Sequence, residues 1–171
     1  MEHKEIFKEL AKCKIKGMMF HCNMADYYAF LHCCTLKKMH EERFIEESEE
    51  LRELKDYYIM KYERTLLTDD ENLTIENVTP SNWDEYELTD KERSAYIKQG
   101  CETYEVQEQK VKEKMKKLAD ELYSMGCYED YKMIRELIDD VILEIAHIRD
   151  LRTYLEQTGF NMEDEGLMHR I

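Results

Sequence analysis

The chain has 171 residues, a net charge of −14 and a pI of about 4.9, and 37% of its residues are charged. With 5 glycines and 1 proline it lacks the turn residues of a β-sandwich, and its apolar residues recur with a helical period, which excludes a disordered chain. The negative charge repels nucleic-acid phosphate and anionic lipid, so we expect neither nucleic acid nor a membrane as partner.

Two long helices are predicted in the first part of the chain, at about residues 4–33 and 36–66. In both, apolar residues recur every three or four positions, the spacing of a helix with one buried face. No glycine or proline separates the two helices. A single helix of roughly 60 residues would leave its apolar stripe unburied. We therefore predict a hairpin with its turn near Cys34 and Thr35.

The composition changes between residues 67 and 89, which we interpret as a long connection. This stretch holds the only proline, Pro80, and the only tryptophan, Trp83, among many Asp, Asn, Thr and Ser residues. Such a mixture is typical of loops rather than of helices. At its end, Thr89 and Glu92 have the spacing of a capping box, which predicts that a helix begins here.

The second half of the chain predicts two more helices, at about residues 90–124 and 129–157. Gly126 separates them and favours a helix end, because glycine accepts the backbone conformation that closes a helix. The residues from 159 to 171 show no continued helical pattern and are interpreted as a loose tail.

These four helices predict a single all-α domain over residues 1–171, a four-helix bundle made of two antiparallel hairpins. A helix of about 30 residues is roughly 45 Å long. A connection of about 20 residues spans that length when extended, at about 3.3 Å per residue. Two topologies therefore stay open. The connection either crosses the bundle from end to end or joins neighbouring ends.

Each predicted helix carries an ionisable residue in the interior of its apolar stripe: His21, Glu47, Glu108 and Glu144. An isolated buried charge costs several kcal/mol, so such residues need a partner or a metal ion. His21 and Glu47 each lie 13 residues from a turn at position 34, and Glu108 and Glu144 each lie 18 residues from Gly126. If the connection crosses the bundle, all four fall in one layer. Otherwise the two pairs are offset by about 7.5 Å.

The fourth helix contains Glu144-Ile-Ala-His147, a Glu-x-x-His sequence, and the third offers Glu108 as a single glutamate. With a long central connection, this pattern resembles the ferritin-like superfamily, whose metal-binding members hold two ions between four helices. The chain departs from it with Glu47-x-x-Glu50 in the second helix and a histidine in the first. The resemblance implies a site for two ions of iron or manganese. Its ligands would be His21, Glu47, Glu50, Glu108, Glu144 and His147.

A metal-free bundle is the second interpretation. Ile138, Ile142 and Ile145 widen the apolar face of the fourth helix, which turns His147 outward and leaves Glu144 at the edge. The acidic run 46–50 is typical of a solvated face. The protein would then be a non-catalytic interaction or oligomerisation module that uses exposed Met and Tyr side chains. Both interpretations predict a homo-oligomer, and neither decides whether the protein is an enzyme.

The compartment is predicted from the cysteines and the first residues. None of the 6 cysteines forms a Cys-x-x-Cys pair, the spacing of zinc and redox sites. Residues 1–16 are charged and contain no apolar signal core, and no run of apolar residues approaches the length of a membrane span. We therefore expect a cytoplasmic protein with reduced thiols.

Overall fold

The computed structural model describes residues 1–66 and 87–159, which form four α-helices without any strand. The helices are α1 His3–Phe30, α2 Cys34–Tyr62, α3 Asp90–Ser124 and α4 Tyr128–Gln157. The prediction of an all-α four-helix bundle is thereby confirmed. The predicted connection, as far as residue 86, and the tail from residue 160 lie outside the described residues.

The helices end where local backbone conformation forces a turn. Between α1 and α2 the turn lies at residues 31–33, because exposed His32 takes a left-handed conformation with φ of 58°. This is slightly earlier than predicted, and the cause is a residue type that gives no turn signal. Gly126 closes α3 with φ of 79°, as its sequence position indicates. At the start of α3, Thr89 and Glu92 form the predicted capping box.

Within each hairpin the two helices run antiparallel. In the first hairpin, the ring of His3 near the start of α1 lies 4.7 Å from the ring of Tyr62 at the end of α2. In the second hairpin, Nε of Arg149 in the last third of α4 lies 3.3 Å from Oε1 of Glu105 in the first half of α3. Both hairpins therefore close by short turns, as predicted.

The two hairpins pack with α1 antiparallel to α3. Near the end of α1, the hydroxyl of Tyr27 donates a 2.5 Å hydrogen bond to the carbonyl of Tyr96 near the start of α3. Near the start of α1, Glu9 forms a 3.1 Å ion pair with Lys114 farther along α3. Because α1 is antiparallel to both α2 and α3, those two helices run in the same direction.

Two apolar clusters occupy opposite ends of the bundle. Leu66, just after α2, packs in the cluster that contains Ile6 and Ile134, whereas Leu88, just before α3, packs against the cluster of Leu31 and Leu155. The chain therefore leaves α2 at one end and enters α3 at the other. These are the helix directions of the crossing topology. None of the four helices is both long and apolar enough to cross a membrane.

Candidate metal centre

Three ionisable side chains meet between the two apolar clusters: His21 of α1, Glu108 of α3 and Glu144 of α4. One ring nitrogen of the histidine and one carboxylate oxygen of each glutamate all lie within 4.8 Å of one another. His21 is 0% exposed and Glu108 is 3% exposed. We call these three residues the ligand triad. Imidazole nitrogen together with carboxylate oxygen is a ligand set that suits iron and manganese.

The ring of His21 is oriented by a second buried histidine. Nδ1 of His21 lies 2.9 Å from Nδ1 of His40, so one ring donates a hydrogen bond to the other. Nε2 of His21 then points to Glu144, with 3.9 Å between it and Oε1, and has no hydrogen-bond partner among the described residues. Burial, helped by the positive charges of Arg43 and Lys14, lowers the pKa of His21 to about 3. The imidazole is therefore neutral at neutral pH, as a metal ligand must be.

The two glutamates of the triad are held in different ways. Tyr104 donates a short hydrogen bond to Oε1 of Glu144, whereas no hydrogen bond reaches Glu108 within the described parts of the chain. Burial raises the pKa of Glu108 well above its ordinary value, and the carboxylates of Glu144 and Glu47 raise it further. Burial also raises the pKa of Glu144, which Tyr104 and Arg43 oppose. In the absence of another cation, this pair therefore favours holding a proton.

A lysine neutralises the other two predicted glutamates. The ammonium of Lys14 forms a short ion pair with Oε2 of Glu50 and lies 3.4 Å from Oε2 of Glu47. Space for Glu47 comes from Gly17, where an added Cβ would lie 2.9 Å from Oε2. Burial raises the pKa of Glu47 to about 7, because the attraction of Lys14 offsets only part of the cost of burial. Glu47 and Glu50 are therefore paired with the ammonium of Lys14 and are not part of the triad.

The sixth predicted ligand, His147, lies at the rim of the site. Arg43 of α2 places Nη2 3.3 Å from Nδ1 of His147 and Nε 3.9 Å from Oε1 of Glu144, and it pairs with Glu46 at 2.8 Å. Leu143, one turn earlier on α4, is 69% exposed. His147 therefore contacts Arg43 at the edge of the site and is not a member of the triad.

The central polar layer is the name we give to the triad and the polar side chains packed around it. It consists of Lys14, His21, His40, Arg43, Glu47, Glu50, Tyr104, Glu108 and Glu144. Of the six predicted ligands the structure brings three together in the triad. Glu47 is one helical turn from the level of His21, because the turn of the first hairpin lies earlier than position 34.

Lys14, His40 and Arg43 are members of the layer that were not predicted. Lys14 lies four residues after Leu10 and seven before His21. This helical spacing places it on the same apolar stripe and could have indicated that it is buried. It was missed because a lysine on a stripe usually extends its charged end to solvent. Here the ammonium stays inside, and Lys14 is 2% exposed.

A groove between α2 and α4 leads from solvent to the layer. Its cavity has a volume of about 460 Å³, and Glu47 and Glu144 line it. Exposed acidic residues, Glu49, Glu53 and Asp140, line it as well. Arg43 also lines the groove, but acidic side chains predominate, and a predominantly acidic cleft raises the local concentration of cations. The groove therefore favours the approach of cations to the triad.

A second group of possible metal ligands, His3, Cys127 and Asp130, lies at the Leu66 end of the bundle. Asp130 is 0% exposed, and four side chains donate hydrogen bonds to its two oxygens. The donors are His3 at 2.8 Å, Lys61 at 2.9 Å, Tyr57 at 2.6 Å and Tyr62. We call these four residues and Asp130 the Asp130 cluster. Because both oxygens are already engaged, the cluster is complete without an ion.

Comparison with known proteins assigns the chain to no family. No protein-family model matches the sequence, and a search of curated proteins finds no relative. The resemblance to the ferritin-like superfamily therefore stays a prediction from the sequence.

Proposed function

We propose that the protein binds a divalent cation, iron or manganese, at the ligand triad. The observation that carries this proposal is Nε2 of His21, a fully buried ring nitrogen with no hydrogen-bond partner among the described residues and with carboxylate oxygens close to it. A buried polar atom without a partner costs about 1–3 kcal/mol. A metal ion bonded to Nε2 removes this cost, and the Nδ1 contact with His40 keeps the ring correctly aimed.

The charge of the central polar layer supports the same function. Among the described residues, its four carboxyl groups face two cationic side chains, Lys14 and Arg43, and Arg43 also pairs with Glu46. When all of these groups are ionised, the layer carries an excess of two negative charges. A divalent ion neutralises that excess, whereas the metal-free layer must take up protons, which agrees with the raised pKa values of Glu108 and Glu144.

The arrangement of the helices supports a relation to the ferritin-like superfamily. In that superfamily, one long connection crosses the bundle and ligands project inward from different helices. Here α2 and α3 run in the same direction, and the triad takes one ligand from each of α1, α3 and α4. His40 on α2 supports the triad through its contact with His21.

Elemental analysis of the untagged protein tests the proposal. The protein is loaded anaerobically with Fe(II) or Mn(II), desalted and analysed for retained metal, and its helicity is followed by circular dichroism. We expect metal in the wild-type protein and a loss of at least tenfold in affinity in Glu108→Gln or Glu144→Ala, with helicity unchanged. Glu102→Gln, an exposed glutamate on the same helix as Glu108, is the matched control and should keep the metal. Equal metal content in all four proteins would refute the assignment.

The second part of the proposal is that the protein forms a homo-oligomer. Oligomerisation also fits the alternative function, in which the protein is an interaction module that binds no metal. Large apolar side chains are exposed on α2 and α4, with Met60 84% exposed and Leu143 69% exposed. Exposed Met residues are frequent at surfaces that bind other proteins. We expect a defined dimer or larger species by light scattering. A monomer at high concentration that also retains no metal would refute both functions.

A further inference from the structure

The ammonium of Lys14 is a cation that already lies inside the central polar layer. It contacts Glu50 and Glu47 on α2, and the whole residue is 2% exposed. Burial lowers the pKa of Lys14, but the two carboxylates outweigh it and raise the pKa above its ordinary value, so the side chain is charged at neutral pH. The Glu47 and Glu50 pair is thus neutralised without any ion from solution.

The position of this charge matters for the ligand triad. Lys14 lowers the pKa of His21 and opposes the raised pKa values of Glu108 and Glu144, so its charge acts on all three ligands. Any divalent ion that approached Glu47 and Glu50 would meet the ammonium at contact distance. Since Lys14 is buried and contacts both carboxylates, its ammonium and an incoming ion compete for the same oxygens.

We infer that Lys14 takes the place of a second metal ion, so that the central polar layer holds one divalent ion instead of two. This inference rests on the proposed function, because it concerns the number of ions at that site. It assigns Glu47 and Glu50 as partners of Lys14 and not as metal ligands. It also predicts a latent second site, which becomes available when the ammonium is removed.

The test counts ions in the whole protein. Wild type, Lys14→Met and Lys16→Met are loaded with Mn(II), desalted and analysed for metal, and electron paramagnetic resonance distinguishes isolated from coupled Mn(II). We expect one isolated ion per chain in the wild type and two coupled ions in Lys14→Met. Lys16→Met removes a charge from an exposed lysine of the same helix, so it should keep one ion. A single ion in Lys14→Met would overturn the inference.

A second variant keeps the inference testable if Lys14→Met does not fold. In Glu50→Gln, Lys14 still pairs with Glu47. We expect this variant to keep one ion per chain, with an affinity within about threefold of the wild-type value. Loss of the ion in Glu50→Gln would overturn the inference, because Glu50 would then be a ligand. Two ions in the wild type would overturn the inference but not the proposed function. No ion in the wild type would refute the proposed function, and the inference with it.

Discussion

Two buried carboxylates of this bundle have opposite surroundings. Asp130 accepts hydrogen bonds from four side chains, and Glu108 receives none from the described residues. Burial raises the pKa of both groups. At Asp130 the four donors outweigh burial and lower the pKa to about 2, whereas at Glu108 the neighbouring carboxylates add to burial and raise it well above its ordinary value.

This contrast shows that burial alone does not identify a functional carboxylate. The Asp130 cluster is saturated with donors and stabilises the fold as it is. The central polar layer has fewer cationic than anionic side chains, and Nε2 of His21 has no hydrogen-bond partner among the described residues, so under the proposed function it stabilises the fold most when an ion is bound. The two regions therefore predict opposite responses to mutation, metal and pH.

The largest effect is expected from Asp130→Ala, which removes the acceptor of four hydrogen bonds. The free energy of unfolding should fall by about 3 kcal/mol, because the half-buried side chains of Tyr57 and Tyr62 lose the buried acceptor of their hydrogen bonds. Urea unfolding followed by circular dichroism measures this. Asp139→Ala, an exposed aspartate on the same helix, is the control and should change stability by no more than about 0.5 kcal/mol. Similar values for both variants would show that the Asp130 cluster contributes little.

The next effect is expected from Mn(II) added to the metal-free protein. At a hundred times its dissociation constant, an ion that binds only the folded state raises the free energy of unfolding by about 2.7 kcal/mol. Asp130→Ala should gain the same increment, because its cluster lies at the end of the bundle and not in the layer. Glu108→Gln should gain no more than about 1.4 kcal/mol, because its affinity is expected to fall at least tenfold. An equal gain in Glu108→Gln would place the ion elsewhere.

The smallest effect is the pH dependence of the metal-free protein between pH 6.5 and 8. Burial raises the pKa of Glu108 well above its ordinary value and that of Glu47 to about 7, so the folded state holds protons that the unfolded chain has already released. The free energy of unfolding should therefore fall as the pH rises, by up to about 1.4 kcal/mol per pH unit for each proton held. His21 and His40 act in the opposite direction, mainly below pH 7, because burial lowers their folded pKa values while the unfolded imidazoles take up protons there.

The Asp130 cluster should contribute nothing to this slope. With a pKa lowered to about 2, Asp130 stabilises the fold at every pH above its unfolded value, and that contribution is lost only as the pH falls toward 2. Glu108→Gln should flatten the slope between pH 6.5 and 8, and Asp130→Ala should leave it unchanged. If instead Asp130→Ala flattened the slope and Glu108→Gln left it unchanged, the titrating group would lie in the Asp130 cluster and not in the central polar layer.

The fold was predictable because its signals are local. Apolar spacing defines each helix, the Thr89 and Glu92 capping box begins α3, and Gly126 ends it. The turn of the first hairpin was predicted less accurately, because His32 adopts a left-handed conformation without being a glycine. The direction of α2 relative to α3 was left open, since the sequence does not show which ends of the hairpins meet.

The candidate site was predictable in one hairpin more than in the other. Glu108 and Glu144 do lie at one level, because Gly126 locates their turn accurately. In the first hairpin, an error of two residues in the turn displaces partners across the hairpin by about four residues, one helical turn. Glu47 therefore lies opposite Gly17, and His21 meets His40. Side-chain pairing of this kind depends on helix register, which composition does not reveal.

The division of the bundle into two hairpins has a consequence for how the chain folds. Each hairpin joins helices that are neighbours in the chain, so it can form early at a small cost in loop entropy. The Asp130 cluster links His3 and α2 of the first hairpin to α4 of the second, so it forms only when the hairpins dock. Breaking it should therefore slow docking or speed separation, and leave the formation of each hairpin almost untouched.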